Sequence, residues 1–310
     1  MPIGLGLASS HAPNMFAPAE KWAIRYSERT RGKPQPGEAQ HETIEIIQGY
    51  IERITAAFRE LERQLAAYQP DALIMVGDDQ GEVFDRLVGM PTIGLLLAEE
   101  AAGSLGLEHL GESAPKEMVR LRGHPELAEF LAQGLIDHNF DITCMHKLQA
   151  TGRPERGLGH AFTRTAPKLM PDLNIPVVII FLNCYYPPLP TARRCYDLGR
   201  TLREILDERP ERVAIYGSGG LSHDPVGPRA GWIDQPLDRF LLQALADGKP
   251  EKLLGLYTFD SDTVRSGTGE IRNWITVAGA LHDRRATIVD YIPAYHAVTG
   301  LGFAAWPPVR

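Results

Sequence analysis

The amino-acid sequence predicts an α/β protein: an open three-layer α/β/α sandwich around a mostly parallel or mixed central sheet, formed by a single domain over residues 1–310. Three observations lead there. Continuous apolar runs at 71–76 and 176–182 have the character of strands buried on both faces, as in sheets covered by helices on each side. Segments of helical periodicity alternate with those runs, the order expected of α/β folds. The runs end in polar or glycine-rich turns, and open α/β sheets bind ligands beyond the carboxyl ends of their strands.

In chain order, residues 3–8 form the opening strand and lead into the turn Ser9-Ser10-His11-Ala12-Pro13. Residues 42–68 form a long amphipathic helix, with Ile46, Ile47, Tyr50, Ile51, Ile54, Phe58, Leu61 and Leu65 recurring at helical spacing between charged residues. The strand at 71–76 opens into Gly77-Asp78-Asp79-Gln80, which brings polar groups to its carboxyl end. His124 starts a helix at 125–134, and the strand at 176–182 runs into Asn183, Tyr185 and Tyr186. A helix at 191–207 leads to a strand at 212–216, and further helices span 237–246 and 271–281. The breaker-rich stretches 30–37 and 185–190 are loops within the domain.

Composition narrows the function. The net charge of −7 and the lack of any basic cluster longer than Arg284-Arg285 argue against a nucleic-acid or anionic-membrane surface. No apolar segment approaches the roughly 18 residues of a membrane span, and the N-terminus lacks a leader pattern. The three cysteines, Cys144, Cys184 and Cys195, are widely spaced and fit reduced buried thiols of a cytoplasmic protein. Small-molecule chemistry is therefore the expectation.

Four residues stand out by placement. Gly217-Ser218-Gly219-Gly220-Leu221-Ser222-His223 presents an imidazole on a glycine-rich turn after a strand. His11 follows the first strand, His160 lies in Gly157-Leu158-Gly159-His160, and Glu270 begins a helix after Ser266-Gly267-Thr268-Gly269. A lone histidine is ordinarily a surface or hydrogen-bonded core residue, and a lone glutamate at a helix start is a favourable charge in the first turn. The recurrence of the element-end setting in all four favours convergence on one cleft. Imidazoles and a carboxylate on one face of a divalent metal, with open positions opposite, are the donors of non-haem Fe(II) oxygenases.

In these residues the chain resembles the class III extradiol ring-cleaving dioxygenases, in particular the catalytic subunit of protocatechuate 4,5-dioxygenase and its gallate and methylgallate relatives. The resemblance rests on the motifs around His11, on the segments 76–84, 157–160 and 187–190, and above all on 217–223 followed by 267–274. It implies Fe(II) as cofactor, with His11 and Glu270 as ligands, and His223 as the base beside the substrate hydroxyl. It makes His160 an additional histidine that assists proton transfer or holds substrate. The implied reaction opens a catechol-type ring, carboxylated as in protocatechuate or gallate, with dioxygen. The implied assembly is a homo-oligomer, with a small helical partner subunit as a further possibility.

Two positions depart from the family pattern. Gly159 stands where the family commonly has an acidic residue, and Gln80 stands where it has a second histidine ligand. Gln80 is expected at the edge of the metal site as an amide-oxygen donor. Asp78 or Asp79 in the imidazole's place, or a degraded site, are the alternatives. The rival function is a metal-poor homologue that acts as a binding or partner subunit.

Overall fold

Alternate residues of one central strand feed two different cores: Leu73 and Met75 pack on one side of the sheet, Ile74 and Val76 on the other. That period-two division makes the molecule three layers deep. The computed structural model describes residues 3–113, 117–259 and 261–308. Its strands are β1 (Ile3–Ser9), β2 (Ala72–Gly77), β3 (Ile93–Leu96), β4 (Glu100–Ser104), β5 (Met118–Arg122), β6 (Thr143–Met145), β7 (Val177–Leu182), β8 (Val213–Ser218), β9 (Thr287–Ala294) and β10 (Thr299–Trp306). Its helices are α1 (Ala19–Thr30), α2 (Ile44–Tyr68), α3 (Pro125–Asp137), the single turns α4 (His160–Thr163) and α5 (Ala166–Leu169), α6 (Ala192–Leu206), α7 (Gln235–Ala246) and α8 (Ile271–Ala280).

The main sheet runs β6-β3-β7-β2-β8-β1-β10-β9, and β4 and β5 form a separate hairpin. The centre, β7-β2-β8-β1, is parallel throughout, and both flanks join it antiparallel, β3 on β7 and β10 on β1. The expected sandwich with its mixed sheet is therefore the observed architecture. All seven expected helix and strand segments in the 71–281 stretch are present, with ends within about three residues.

Local chemistry explains the boundaries. The Thr43 side chain accepts the amide N–H of Ile46 to cap α2, the Thr191 side chain accepts that of Arg194 at α6, and His124 caps α3 through Leu127. Helix α8 is buried at every position, including its polar residues Arg272, Asn273 and Thr276, so no stripe separates a buried face from an exposed one. The cysteine expectation needs one correction: Cys184 and Cys195 are buried, but Cys144 is exposed, because it lies on β6 at the sheet edge. Among the described residues, no helix is long and apolar enough to cross a membrane.

Candidate metal centre and its cavity

Four parallel strands deliver the site. His11 follows β1, Asp78 follows β2, Tyr185 follows β7 and His223 follows β8, so their side chains gather at the carboxyl edge of the sheet. Glu270 arrives from outside the sheet, at the N-terminal end of the buried α8. His11, Gln80, His160, His223 and Glu270 all line one cavity of about 420 Å³.

The tautomer of His11 follows from its neighbours. The Ser218 hydroxyl donates to the Ala161 carbonyl at 2.6 Å, so its oxygen accepts from Nδ1–H of His11 at 2.9 Å. The lone pair of Nε2 then points at Glu270 Oε2, 3.6 Å away, and Asp78 Oδ1, 3.8 Å away. Burial holds the His11 pKa down to about 3 against the opposing pull of Glu270, so the imidazole is neutral.

Asp78 is fully buried, and its Oδ1 has no hydrogen-bond partner among the described residues. Burial and the charge of Glu270 push its carboxyl well above the usual range. Glu270 resists its own burial because His223 and His11 hold it down, with help from the Tyr185 hydroxyl. Ligand atoms of His11, Asp78 and Glu270 lie within 4.8 Å of one another. A lone pair and two carboxylates at that spacing repel one another until a cation stands between them, and the orphaned Asp78 oxygen is the clearest sign of what is needed. The residues present therefore fit a divalent metal ion.

Gln80 enters the cluster by its nitrogen. Nε2 donates to Asp78 Oδ2 at 3.3 Å, to Glu270 Oε1 at 3.2 Å and to the Tyr185 hydroxyl at 3.0 Å, the orientation that carboxylate neighbours demand of an amide. Asp79 is spent elsewhere, since its carboxylate accepts the backbone N–H groups of Gly81, Glu82, Val83 and Phe84 and so fixes the loop after β2. Tyr185 donates its hydroxyl to Glu270 Oε1, and Gly220 N–H binds Oε2 at 2.6 Å. Gly219 permits that approach: its φ is +125°, and a Cβ there would stand 2.7 Å from Glu270 Oε2.

His223 gives Nδ1–H to the Leu221 carbonyl at 2.9 Å. Its Nε2 lies 3.4 Å from Glu270 Oε1 and 3.5 Å from the Tyr185 hydroxyl. Burial would push this imidazole down, but the Glu270 charge and the hydrogen bonds outweigh it, and the net shift is upward. His160 bonds Glu82 Oε2 through Nδ1 at 2.7 Å, and its backbone N–H reaches the same oxygen at 3.1 Å. His160 in turn holds Glu82 down to about 2 against burial. Glu82 thus stands against His160 where the sequence offered Gly159, and a Cβ at Gly159 would come 2.9 Å from that carboxylate oxygen.

Sequence reasoning placed five residues in this cavity, and the structure brings all five together. Asp78 entered only as an alternative ligand, and Tyr185 only as a residue following the strand at 176–182. Neither Glu82 nor Ser218 was singled out. The usable signal for Asp78 is its position, first after a buried strand, the same edge that presents His11. Arg272 is buried against the carbonyls of Pro190 and Gly269 and over the Tyr257 ring, so it faces away from any substrate.

The family described as the catalytic LigB subunit of aromatic ring-opening dioxygenase matches residues 32–304. A gallate dioxygenase of Pseudomonas putida is 31% identical over 173 residues, covering 54% of this chain and 48% of that protein. A 2,3-dihydroxyphenylpropionate/2,3-dihydroxicinnamic acid 1,2-dioxygenase of Photorhabdus laumondii is 28% identical over 192 residues, covering 61% and 54%. The chain spans about half the length of these curated relatives. The crystal structure of an uncharacterized protein from Escherichia coli K12 matches 98% of this chain and 99% of its own with a TM-score of 0.56 at 15% identity, a likeness of fold.

Proposed function

Because the chain belongs to the family of the catalytic LigB subunit of aromatic ring-opening dioxygenase, we propose that it uses Fe(II) and dioxygen to open the ring of a catechol that carries a carboxylate. The two relatives are named for gallate and for dihydroxyphenylpropionate, both of which join neighbouring ring hydroxyls to a carboxylate. The observation that carries the reading is the meeting of the His11 lone pair, the orphaned Asp78 oxygen and Glu270 in one buried cluster. It favours a working centre over a metal-poor scaffold, which has no need to bury two carboxylates beside a neutral imidazole.

His11, Asp78 and Glu270 would hold the ion, with Gln80 donating to both carboxylates and fixing their orientation. Bound there, Fe(II) would make the catechol hydroxyls more acidic and hold dioxygen beside the ring. His223 Nε2, with Nδ1–H committed to the Leu221 carbonyl, accepts the proton of the second hydroxyl. A proton on Nε2 has Glu270 and the Tyr185 hydroxyl as neighbours, which keep it within the site. His160, with Nδ1 fixed on Glu82, presents Nε2 to the same cavity, where it can hold a substrate hydroxyl or return a proton. In the overall reaction one ring carbon–carbon bond beside the hydroxyl pair breaks and both atoms of dioxygen enter a ring-opened semialdehyde acid.

One imidazole with two carboxylates is a more oxygen-rich set than two imidazoles with one, and it moves the site towards harder ions. The test is anaerobic reconstitution with Fe(II), and in parallel with Mn(II), followed by metal analysis and aerobic addition of 3,4-dihydroxybenzoate or catechol. About one iron per chain and a product with semialdehyde absorbance are expected. Turnover with manganese alone would replace the metal, and neither metal uptake nor product with either ion would overturn the reading.

A further inference from the structure

We propose that Arg25 on α1 is the specificity-determining residue that receives the carboxylate of the ring substrate; this rests on the ring-opening reading above. Five arginines line the cavity, Arg25, Arg29, Arg153, Arg156 and Arg164, although the chain as a whole is acidic. Most of them are already engaged or turned to solvent. Arg164 is buried on the carbonyls of Leu105, His11 and Gly106. Arg156 pairs with Glu82 and Glu108, Arg29 donates to the Pro225 carbonyl at 3.2 Å, and Arg153 is exposed.

Arg25 makes no hydrogen bond or ion pair among the described residues, yet it is half-buried in the cavity wall. Burial and the neighbouring Arg29 charge pull its pKa down to about 10, with Glu28 opposing, so it remains a cation, and no carboxylate bonds it among the described residues. The guanidinium fork matches a carboxylate with two parallel N–H···O bonds. The metal cluster and α1 line the same cavity; the cluster takes neutral or proton-losing hydroxyls, whereas α1 offers the only cavity-lining guanidinium that is both sheltered and unengaged among the described residues. A ring with hydroxyls at one end and a carboxylate at the other satisfies both, in a volume within the ~300–1,000 Å³ typical of small-molecule sites.

The experiment uses the iron-loaded protein and compares 3,4-dihydroxybenzoate with catechol, which lacks the carboxylate. Anaerobic calorimetry gives Kd without turnover, and aerobic assays give kcat/KM. For Arg25→Gln, binding and kcat/KM for 3,4-dihydroxybenzoate should each fall by about 10–100-fold, the range of a charge-assisted hydrogen bond, and those for catechol by far less. Arg25→Lys should recover part of the loss. Catechol turnover also reports that the variant is folded. Equal losses for the two ligands, or an unchanged ratio while catechol is still opened, would overturn the subsite and leave ring opening standing. A wild type that opens neither compound would remove the ring-opening reading and the subsite with it.

Discussion

The floor and the outer wall of the cavity are built to opposite electrical specifications. The floor stands on parallel strand ends and on α8, and it buries two carboxylates beside a neutral imidazole, a set that a cation reconciles. The wall stands on α1, outside the sheet, and leaves a half-buried guanidinium that an anion reconciles. The difference teaches where precision is placed. The proposed ligands stand one or two positions beyond buried strands, as His11 and Asp78 do, or at the start of the buried α8, as Glu270 does, where packing holds them, whereas Arg25 sits on a peripheral helix that can vary without disturbing the sheet.

The strongest way to break the comparison is to remove a floor ligand. His11→Ala or Glu270→Ala should leave only a small fraction of the wild-type iron and no measurable ring opening, by metal analysis and assay. The neighbouring aspartates sharpen the point. Asp78→Asn should lose iron with little cost to folding, since it keeps an acceptor for Gln80 and replaces a buried carboxyl whose other oxygen has no partner among the described residues. Asp79→Asn should keep iron but lose about 1–3 kcal/mol of stability, because its carboxylate serves four backbone N–H groups. The reverse pattern in denaturant melts and metal analysis would assign the ligand to Asp79.

Next in size is the proton carrier. His223→Ala should keep its iron and bind substrate, while kcat falls by about 10²–10⁴-fold, the contribution of a general base. Iron loss in this variant would make His223 a ligand. Gln80→Leu should act more mildly. It removes the N–H groups that hold Asp78 and Glu270, so Fe(II) affinity should fall by about 10–100-fold, as for other groups that orient ligands. Tighter iron binding in Gln80→His than in wild type would instead argue that position 80 reaches the ion directly.

The same division explains what the sequence made legible. Strands β2, β7 and β8 are buried on both faces, so they read as continuous apolar runs, and the residues at their ends were found with them. The strands β9 and β10 went unread. β9 is mostly half-buried with no clean alternation, and β10 carries glycine and alanine that need their tertiary partners to become a strand. Helix α1 was missed because only Ala19, Trp22 and Thr30 are buried, too few to mark a stripe. The choice among Asp78, Asp79 and Gln80 was not legible either: three adjacent polar residues face different partners, and only the turn after β2 decides which one points to His11.

The smallest predicted effect concerns how the wall is held. His296 stacks on Tyr26 of α1 with ring centroids 4.5 Å apart, one residue from Arg25. Its Nε2–H donates to the Ala39 carbonyl at 3.1 Å, while its Nδ1 is buried without a partner among the described residues. Burial lowers its pKa, with the Ala39 carbonyl opposing, and the Glu42 carboxylate beside it is engaged with the backbone N–H groups of Tyr295 and His296. A histidine lowered in the fold binds fewer protons there than in the unfolded chain, so its contribution to stability is complete above about pH 6.5 and declines as the pH drops below that value. His296→Phe keeps the ring on Tyr26 and removes the titration. Chemical melts from pH 8 to pH 5 should therefore show wild-type stability falling more steeply than the variant's below about pH 6.5, with parallel behaviour above it. Identical slopes would mean that the imidazole is free to take up its proton in the folded state, and that the anchoring of α1 at this contact does not depend on a neutral ring.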